Sequence, residues 1–350
     1  MTLLSFVIFH NISEKTNMNR LKLTTSLGLL SATLAATLFL AASSFAEDCP
    51  RGDLDERFCD RDGDLVADVP TDPSQWLDPD TLIFAYTPVE DPAVYKSAWA
   101  DFIAYMEKTT GKKVIFFPVQ SNAAEIEAMR SGRLHVAGFN TGSNPLAVNC
   151  AGFHPFTIMA GADGSFGYEM EIITHPGSGI EKVEDIKGKT LAFTSPTSNS
   201  GFKAPSALLK KEFDMIADRD FTPAFSGKHD NSILGVANKD YPAASIANSV
   251  KKRMLKRDVV KEDQIKTIYT SQTFPTTGFG YAYNLKPELA ANIVKSFETF
   301  PWDNADGTPS SLKVEFSKNG EAQFIPITYK DHWSVIRTID SANDVSYACK

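Results

Sequence analysis

Much of what would mark an enzyme, a membrane protein or a nucleic-acid binder is missing from this sequence. It has no Gly-x-Ser-x-Gly elbow, no metal-binding pair of histidines and no phosphate-binding P-loop. The common routes to an activated nucleophile, a catalytic metal or a bound nucleotide are therefore closed. Histidines number only six. Of these, His154, His175 and His332 carry no pattern, and His135 sits between apolar residues as a structural side chain would. Past residue 46 no apolar run is long enough to cross a bilayer. Basic residues are outnumbered, and the formal charge is −8, which argues against nucleic acid as a partner. No internal repeat or low-complexity segment is present.

The beginning of the chain reads as a secretory signal. Met18-Asn19-Arg20-Leu21-Lys22 is a short basic region, Leu27 to Leu40 is the apolar core, and Ser44-Phe45-Ala46 fits the small-x-small cleavage rule. Cleavage is expected after Ala46, giving an exported, soluble product of about 300 residues, enough for two lobes. Its loss removes Lys15, Arg20, Lys22 and Glu14 and takes the formal charge from −8 to about −10.

Cysteine is scarce, but the four present all lie beyond the signal: Cys49, Cys59, Cys150 and Cys349. An even number in an exported chain suggests disulfides. Three pairings are possible. Cys49–Cys59 closes a short loop and is favoured, leaving Cys150–Cys349 to tie the C-terminus to the body. A reactive or metal-binding Cys150 is the alternative.

Residues 47–80 are rich in Asp and Pro and nearly empty of large apolar residues. Within them Asp60, Asp62, Asp64 and Asp68 are spaced as oxygen ligands on a flexible loop with a glycine, Gly63, at the bend. Calcium wants six to eight such oxygens. The run departs from the EF-hand pattern, because the glycine comes early and no closing Glu follows. The reading is a single structural Ca²⁺ loop, set against a solvated acidic linker.

From Thr81 onward strands and helices alternate. Strands are expected at Leu82–Tyr86, Val114–Phe117, Leu134–Phe139, Phe156–Ala160, Glu169–Thr174, Thr190–Thr194, Ala243–Ile246, Thr267–Tyr269 and Gly278–Tyr283. One amphipathic helix is expected over Tyr95–Lys108 and another over Ala123–Arg130. This alternation implies α/β lobes, each a mostly parallel sheet flanked by helices. Ligands of such sheets sit at the carboxyl ends of the strands. Five loops there are dense in neutral hydrogen-bonding groups, following Phe117, Phe139, Thr194, Phe225 and Ser271.

The loop Ser195–Gly201 is the most informative of them. A strand precedes it and a helix start, from Phe202, follows it. First-turn N–H groups lack intrahelical partners and carry the positive end of the helix dipole, so they attract an anion. Ser198, Asn199 and Ser200 add side-chain donors, and Gly201 lets a ligand approach the backbone. Plain N-capping is the competing explanation. For His229 beside Asp230 the competing explanation is a core or capping hydrogen bond.

Several segments also match a known family. They are Ala128–Ala137, Ala162–Tyr168, Ser198-Asn199-Ser200-Gly201-Phe202, Ser226-Gly227-Lys228-His229-Asp230 with Val236–Lys239, and Phe324–Ile327. In their order and spacing, from about Thr81 to Ile336, the chain resembles the periplasmic phosphonate- and phosphite-binding proteins of ABC transporters. The resemblance implies a two-lobed clamshell of the type II periplasmic-binding kind. After the signal peptide (1–46) and the Asp-rich extension (47–80), which lie outside the resemblance, it gives lobe 1 (81–168), lobe 2 (169–277) and a return to lobe 1 with the C-terminal segment (278–350). It implies phosphonyl oxygens held by Ser198, Asn199 and Ser200, with a further bond from His229.

The chain has Asn122 and Phe139 where relatives commonly carry Tyr, so Asn122, Asn140 and Thr141 become the expected first-lobe contacts beside Phe139. Amine-accepting relatives hold the ammonium with carboxylates; the matching positions here are Ser249 and Thr277, both neutral. The implied function is non-enzymatic: periplasmic capture of phosphite, methylphosphonate or phosphate by a monomer that delivers it to an inner-membrane permease. The alternative is an arsenic or similar oxyanion presented to a membrane sensor kinase. No cofactor is expected beyond the Ca²⁺ of the Asp-rich loop.

Overall fold

The structure, a computed structural model, describes residues 49–349. The expected signal segment, 1–46, lies outside the described residues. Among them no helix is long and apolar enough to cross a membrane.

Eleven strands form two sheets: β1 (Thr81–Tyr86), β2 (Lys113–Phe116), β3 (Val136–Phe139), β4 (Phe153–Ala160), β5 (Tyr168–Thr174), β6 (Thr190–Phe193), β7 (Thr222–Phe225), β8 (Ala243–Ala247), β9 (Lys266–Phe274), β10 (Gly278–Ala282) and β11 (Gln323–Pro326). The first sheet has the order β11-β4-β10-β3-β1-β2 and the second β7-β6-β8-β5-β9. Strand β1 pairs in parallel with β2 and β3, while β10 runs antiparallel between β3 and β4. In the second sheet β6 pairs in parallel with β7 and β8, and β5 runs antiparallel between β8 and β9. Four strands of each sheet share a direction, but the sheets are mixed and not mostly parallel as expected: β5 and β10, the first strands after the chain passes between the sheets, are reversed, and so is the edge strand β11. The architecture is the two-lobed type II clamshell, with helices packed on the sheets.

Two strands escape the sequence reading, β7 and β11. Each contains a proline, Pro223 or Pro326, and each is an edge strand. Proline demotes an apolar run because it cannot donate to a ladder, but at an edge the missing donor costs nothing. The single helix expected over Tyr95–Lys108 is two, Pro92–Ala98 and Ala100–Thr110. Asp91 caps the first by accepting the Ala93 N–H, with Pro92 at the first position. The break falls at Trp99, which is fully buried against Phe84 at 4.8 Å and Phe279 at 5.4 Å.

Both favoured disulfides are present, Cys49–Cys59 and Cys150–Cys349. The Asp-rich extension is not a solvated linker. Four of its apolar residues, Leu54, Phe58, Val66 and Ala67, are buried, and Phe58 meets Tyr283 edge-on at 4.7 Å. The Asp55 N–H donates to Asn149 O, and Leu77 bridges to Leu285 beside β10.

Candidate functional site

The carboxyl ends of the strands from both sheets face one cavity of about 40 Å³. That is room for a few water molecules or one small anion. Four of the five polar loops reach it, through Asn140 and Thr141, Ser198 to Ser200, His229, and Thr276 with Thr277.

The second lobe builds the side of the cavity lined by Ser198, Asn199, Ser200 and His229. The helix that follows β6 starts earlier than its sequence suggests, with a π turn over Asn199–Lys203 that continues into Ala204–Glu212. Ser198 caps this turn, its Oγ accepting the Gly201 N–H at 3.0 Å. Its own hydroxyl proton is therefore free to be given to something else. Only glycine fits at 201, because a Cβ there would lie 1.9 Å from Thr194 Oγ1. Capping does not withdraw the loop from the cavity: Ser198 caps, and Ser198, Asn199 and Ser200 all line the wall.

His229 has its protonation fixed by the backbone. The Ala247 N–H donates to His229 Nδ1 at 3.0 Å. In the neutral ring the proton must then sit on Nε2, which lies 3.4 Å from Ser198 Oγ. Burial, with the Arg253 charge nearby, pushes the His229 pKa down to about 4. The ring is an uncharged Nε2–H donor at neutral pH.

Phenols come from residues that sequence reasoning passed over. Tyr168 lines the cavity, with its hydroxyl accepting from Asn199 Nδ2 at 3.2 Å, and Tyr86 lines it from the end of β1. Burial pushes both phenols up, so both stay protonated. The signal for Tyr86 was its place at the carboxyl end of a strand. The expected residue Phe139 instead lies in the core, its ring 4.7 Å from Phe153, off the cavity wall. Strand β3 is buried on both faces, so its position at a strand end does not give it access.

Asn122 also stands off the cavity wall. Its Oδ1 accepts from Asn140 Nδ2 at 2.8 Å and its Nδ2 donates to Thr197 Oγ1 at 2.8 Å. It thus orients Asn140 and ties the lobes together. Close backbone approach does the same at Gly142, where a Cβ would lie 2.3 Å from Thr197 O. Thr141 Oγ1 donates to Pro275 O, and Ser249 and Thr277 are on the wall as expected.

Two charged side chains on the wall were missed. Arg253 is buried and bonded to Glu90 at 2.7 Å, and Arg257 pairs with the same carboxylate. Burial pushes the Glu90 carboxyl up, but Arg253 and Arg257 outweigh it and hold it below the usual range. Glu90 follows β1 and Arg253 follows β8, so this pair joins the lobes. In sequence Arg253 stands among Lys251, Lys252, Lys256 and Arg257, and nothing local marks it as the buried one. The second is Glu321, discussed below.

Of the expected metal ligands, Asp60, Asp62 and Asp64 place carboxylate oxygens within 4.8 Å of one another. Asp68 turns away to pair with Arg61 at 3.0 Å. Asp60 already accepts the N–H groups of Gly63, Asp64 and Leu65.

A family profile described as "ABC transporter, phosphonate, periplasmic substrate-binding protein" matches residues 84–332. The chain belongs to this family. It is a substrate-binding protein of the ABC-transport type and not an enzyme. The phosphate-import protein PhnD of Mycolicibacterium smegmatis is 28% identical over 77% of this chain and 85% of its own. The phosphonates-binding periplasmic protein of Escherichia coli is 27% identical over 70% and 74%. Among solved structures, PhnD1 from Prochlorococcus marinus in complex with methylphosphonate superposes with a TM-score of 0.66. It is 15% identical and covers 77% of this chain and 100% of its own. A phosphonate-transporter binding protein from Pseudomonas aeruginosa gives 0.68 at 23% identity, covering 77% and 90%. These two share the fold of this family member.

Proposed function

We propose that this chain captures a small phosphorus oxyanion, namely phosphite, methylphosphonate or phosphate, in the periplasm and delivers it as a monomer to an inner-membrane permease. The observation that carries this reading is the cavity of about 40 Å³ faced at once by Ser198, Asn199, Ser200, His229, Tyr86 and Tyr168. Neutral donors around a small enclosed space suit a tetrahedral oxyanion, whose charge-assisted hydrogen bonds are the strong ones. The helix start at Asn199 adds the positive end of its dipole.

Size supports a ligand without a long substituent. The neutral wall residues Ser249 and Thr277 support it too, while Glu321 places a carboxylate on the same wall. Cys150 is bonded to Cys349 and so offers no thiol to an arsenic oxyanion.

Calorimetric titration with phosphite, methylphosphonate and phosphate tests the proposal. Binding of at least one is expected, and the absence of heat or thermal shift with all three contradicts it.

A further inference from the structure

Glu321 is the one carboxylate on the cavity wall. It lies in the turn before β11, on the first-lobe side. Its Oε2 is buried and has no hydrogen-bond partner. Buried polar atoms are nearly always paired, so an orphaned carboxylate oxygen at a ligand cavity marks an interaction that the ligand completes. Burial pushes the Glu321 pKa up to about 7, with Arg253 first, and then its own backbone N–H, the Asn319 side chain and Lys252, drawing it the other way. The charged and titratable groups around it are Arg253 and Lys252 on the helix Asn248–Lys256, and Tyr86 on β1. Arg253 makes its ion pair with Glu90, and its charge still acts on Glu321. His229 shares the cavity but is neutral at this pH.

The difficulty is physical. A carboxylate and a doubly charged oxyanion cannot share about 40 Å³ of buried space without strong repulsion. A single proton between them turns that repulsion into a short charge-assisted hydrogen bond. Resting on the phosphorus-oxyanion reading above, we infer that Glu321 shares one proton with a ligand oxygen, so that this protein binds its oxyanion as the protonated pair and reads a P–OH group. No bond to phosphorus is made or broken. The proton comes from the ligand or from Glu321 below neutrality, and from solvent above it.

This inference makes binding proton-coupled on the alkaline side. With both partners ionised, each ligand bound takes up close to one proton, and affinity falls by up to about tenfold per pH unit. Glu321→Gln keeps the size of the side chain but removes the charge. The variant binds the dianion with no such uptake, and above pH 8 it binds more tightly than the native protein.

The test is calorimetry of methylphosphonate, phosphite and phosphate between pH 6 and 9, in buffers of different ionisation enthalpy, on the native protein and on Glu321→Gln. The expected result is uptake of about one proton by the native protein at pH 8.5, abolished in the variant. The native proton count needs no variant, and melting curves verify that the variant folds. Equal proton counts and parallel pH profiles overturn the inference while leaving the oxyanion reading intact. Loss of aminoethylphosphonate binding in the variant, with methylphosphonate unchanged, also overturns it, by reassigning Glu321 to an ammonium group. No binding of any phosphorus oxyanion by either protein instead brings down the proposed function, and the inference with it.

Discussion

The backbone N–H of Ala247 donates to His229 Nδ1 at 3.0 Å, and this bond decides what the imidazole offers its ligand. Ala247 ends β8 and His229 opens the helix His229–Ala237, so two elements of one lobe fix the tautomer. Replacing His229 by Ala removes one donor to a charged acceptor, worth about 1.5–3 kcal/mol. Affinity for methylphosphonate is expected to fall by roughly ten- to a hundredfold, as read by calorimetry. Unchanged affinity would place His229 outside the contact set.

The same group sets a pH dependence. Its pKa is about 4 folded, against 6.5 ordinarily. Below 6.5 the unfolded chain binds the proton more readily than the folded one. The stability this histidine allows is complete above pH 6.5 and is lost as pH falls toward 4. Melting temperature should drop over that window, and His229→Ala should drop less than the native protein relative to its own value at pH 7.

Ser200→Ala is the cleaner probe of the anion loop. Ser198 also caps the turn through the Gly201 N–H, so Ser198→Ala should lose both affinity and about 1 kcal/mol of stability. Ser200→Ala should weaken binding with little change in melting temperature. Loss of stability without loss of affinity in both would mean that the loop only caps.

What the sequence revealed and what it hid follow from chemistry. Strands such as β1 and β3, the donor loops and the Ser198-capped helix start are local patterns, set by neighbours in the chain. The edge strands β7 and β11 were hidden by Pro223 and Pro326, because proline's cost depends on sheet position. Phe139 and Asn122 were expected at the ligand because they align with contact positions, but burial puts one in the core and a hydrogen-bond network holds the other behind Asn140. Arg253 and Glu321 were missed because only the folded chain shows that these charges are buried.

The Glu90–Arg253 pair joins the lobes in a desolvated setting. Removing one member of a buried pair strands the other and costs about 3–5 kcal/mol. Glu90→Gln should lower the melting temperature and also weaken ligand binding, since the closed arrangement carries both. Small-angle scattering should show a more open molecule at saturating ligand. A variant as compact and as tight-binding as the native protein would show that other contacts close the clamshell.

Burial raises the Asp64 pKa, and the neighbouring Asp62, Asp60 and Asp68 raise it further. A cation at Asp60, Asp62 and Asp64 would relieve that repulsion. We propose calcium there: it should raise the melting temperature and a chelator should lower it, with oxyanion affinity little changed. Identical curves would leave the loop held by Cys49–Cys59 and the three N–H bonds to Asp60 alone.

The most direct measurement is side-by-side calorimetry of methylphosphonate on the native protein and on Ser200→Ala at pH 7. The expected result is one site on the native protein and an affinity lower by roughly ten- to a hundredfold in the variant, at an unchanged melting temperature. Equal affinities in the two proteins, or no binding of methylphosphonate, phosphite or phosphate by the native one, would contradict an oxyanion site at Ser198, Asn199 and Ser200.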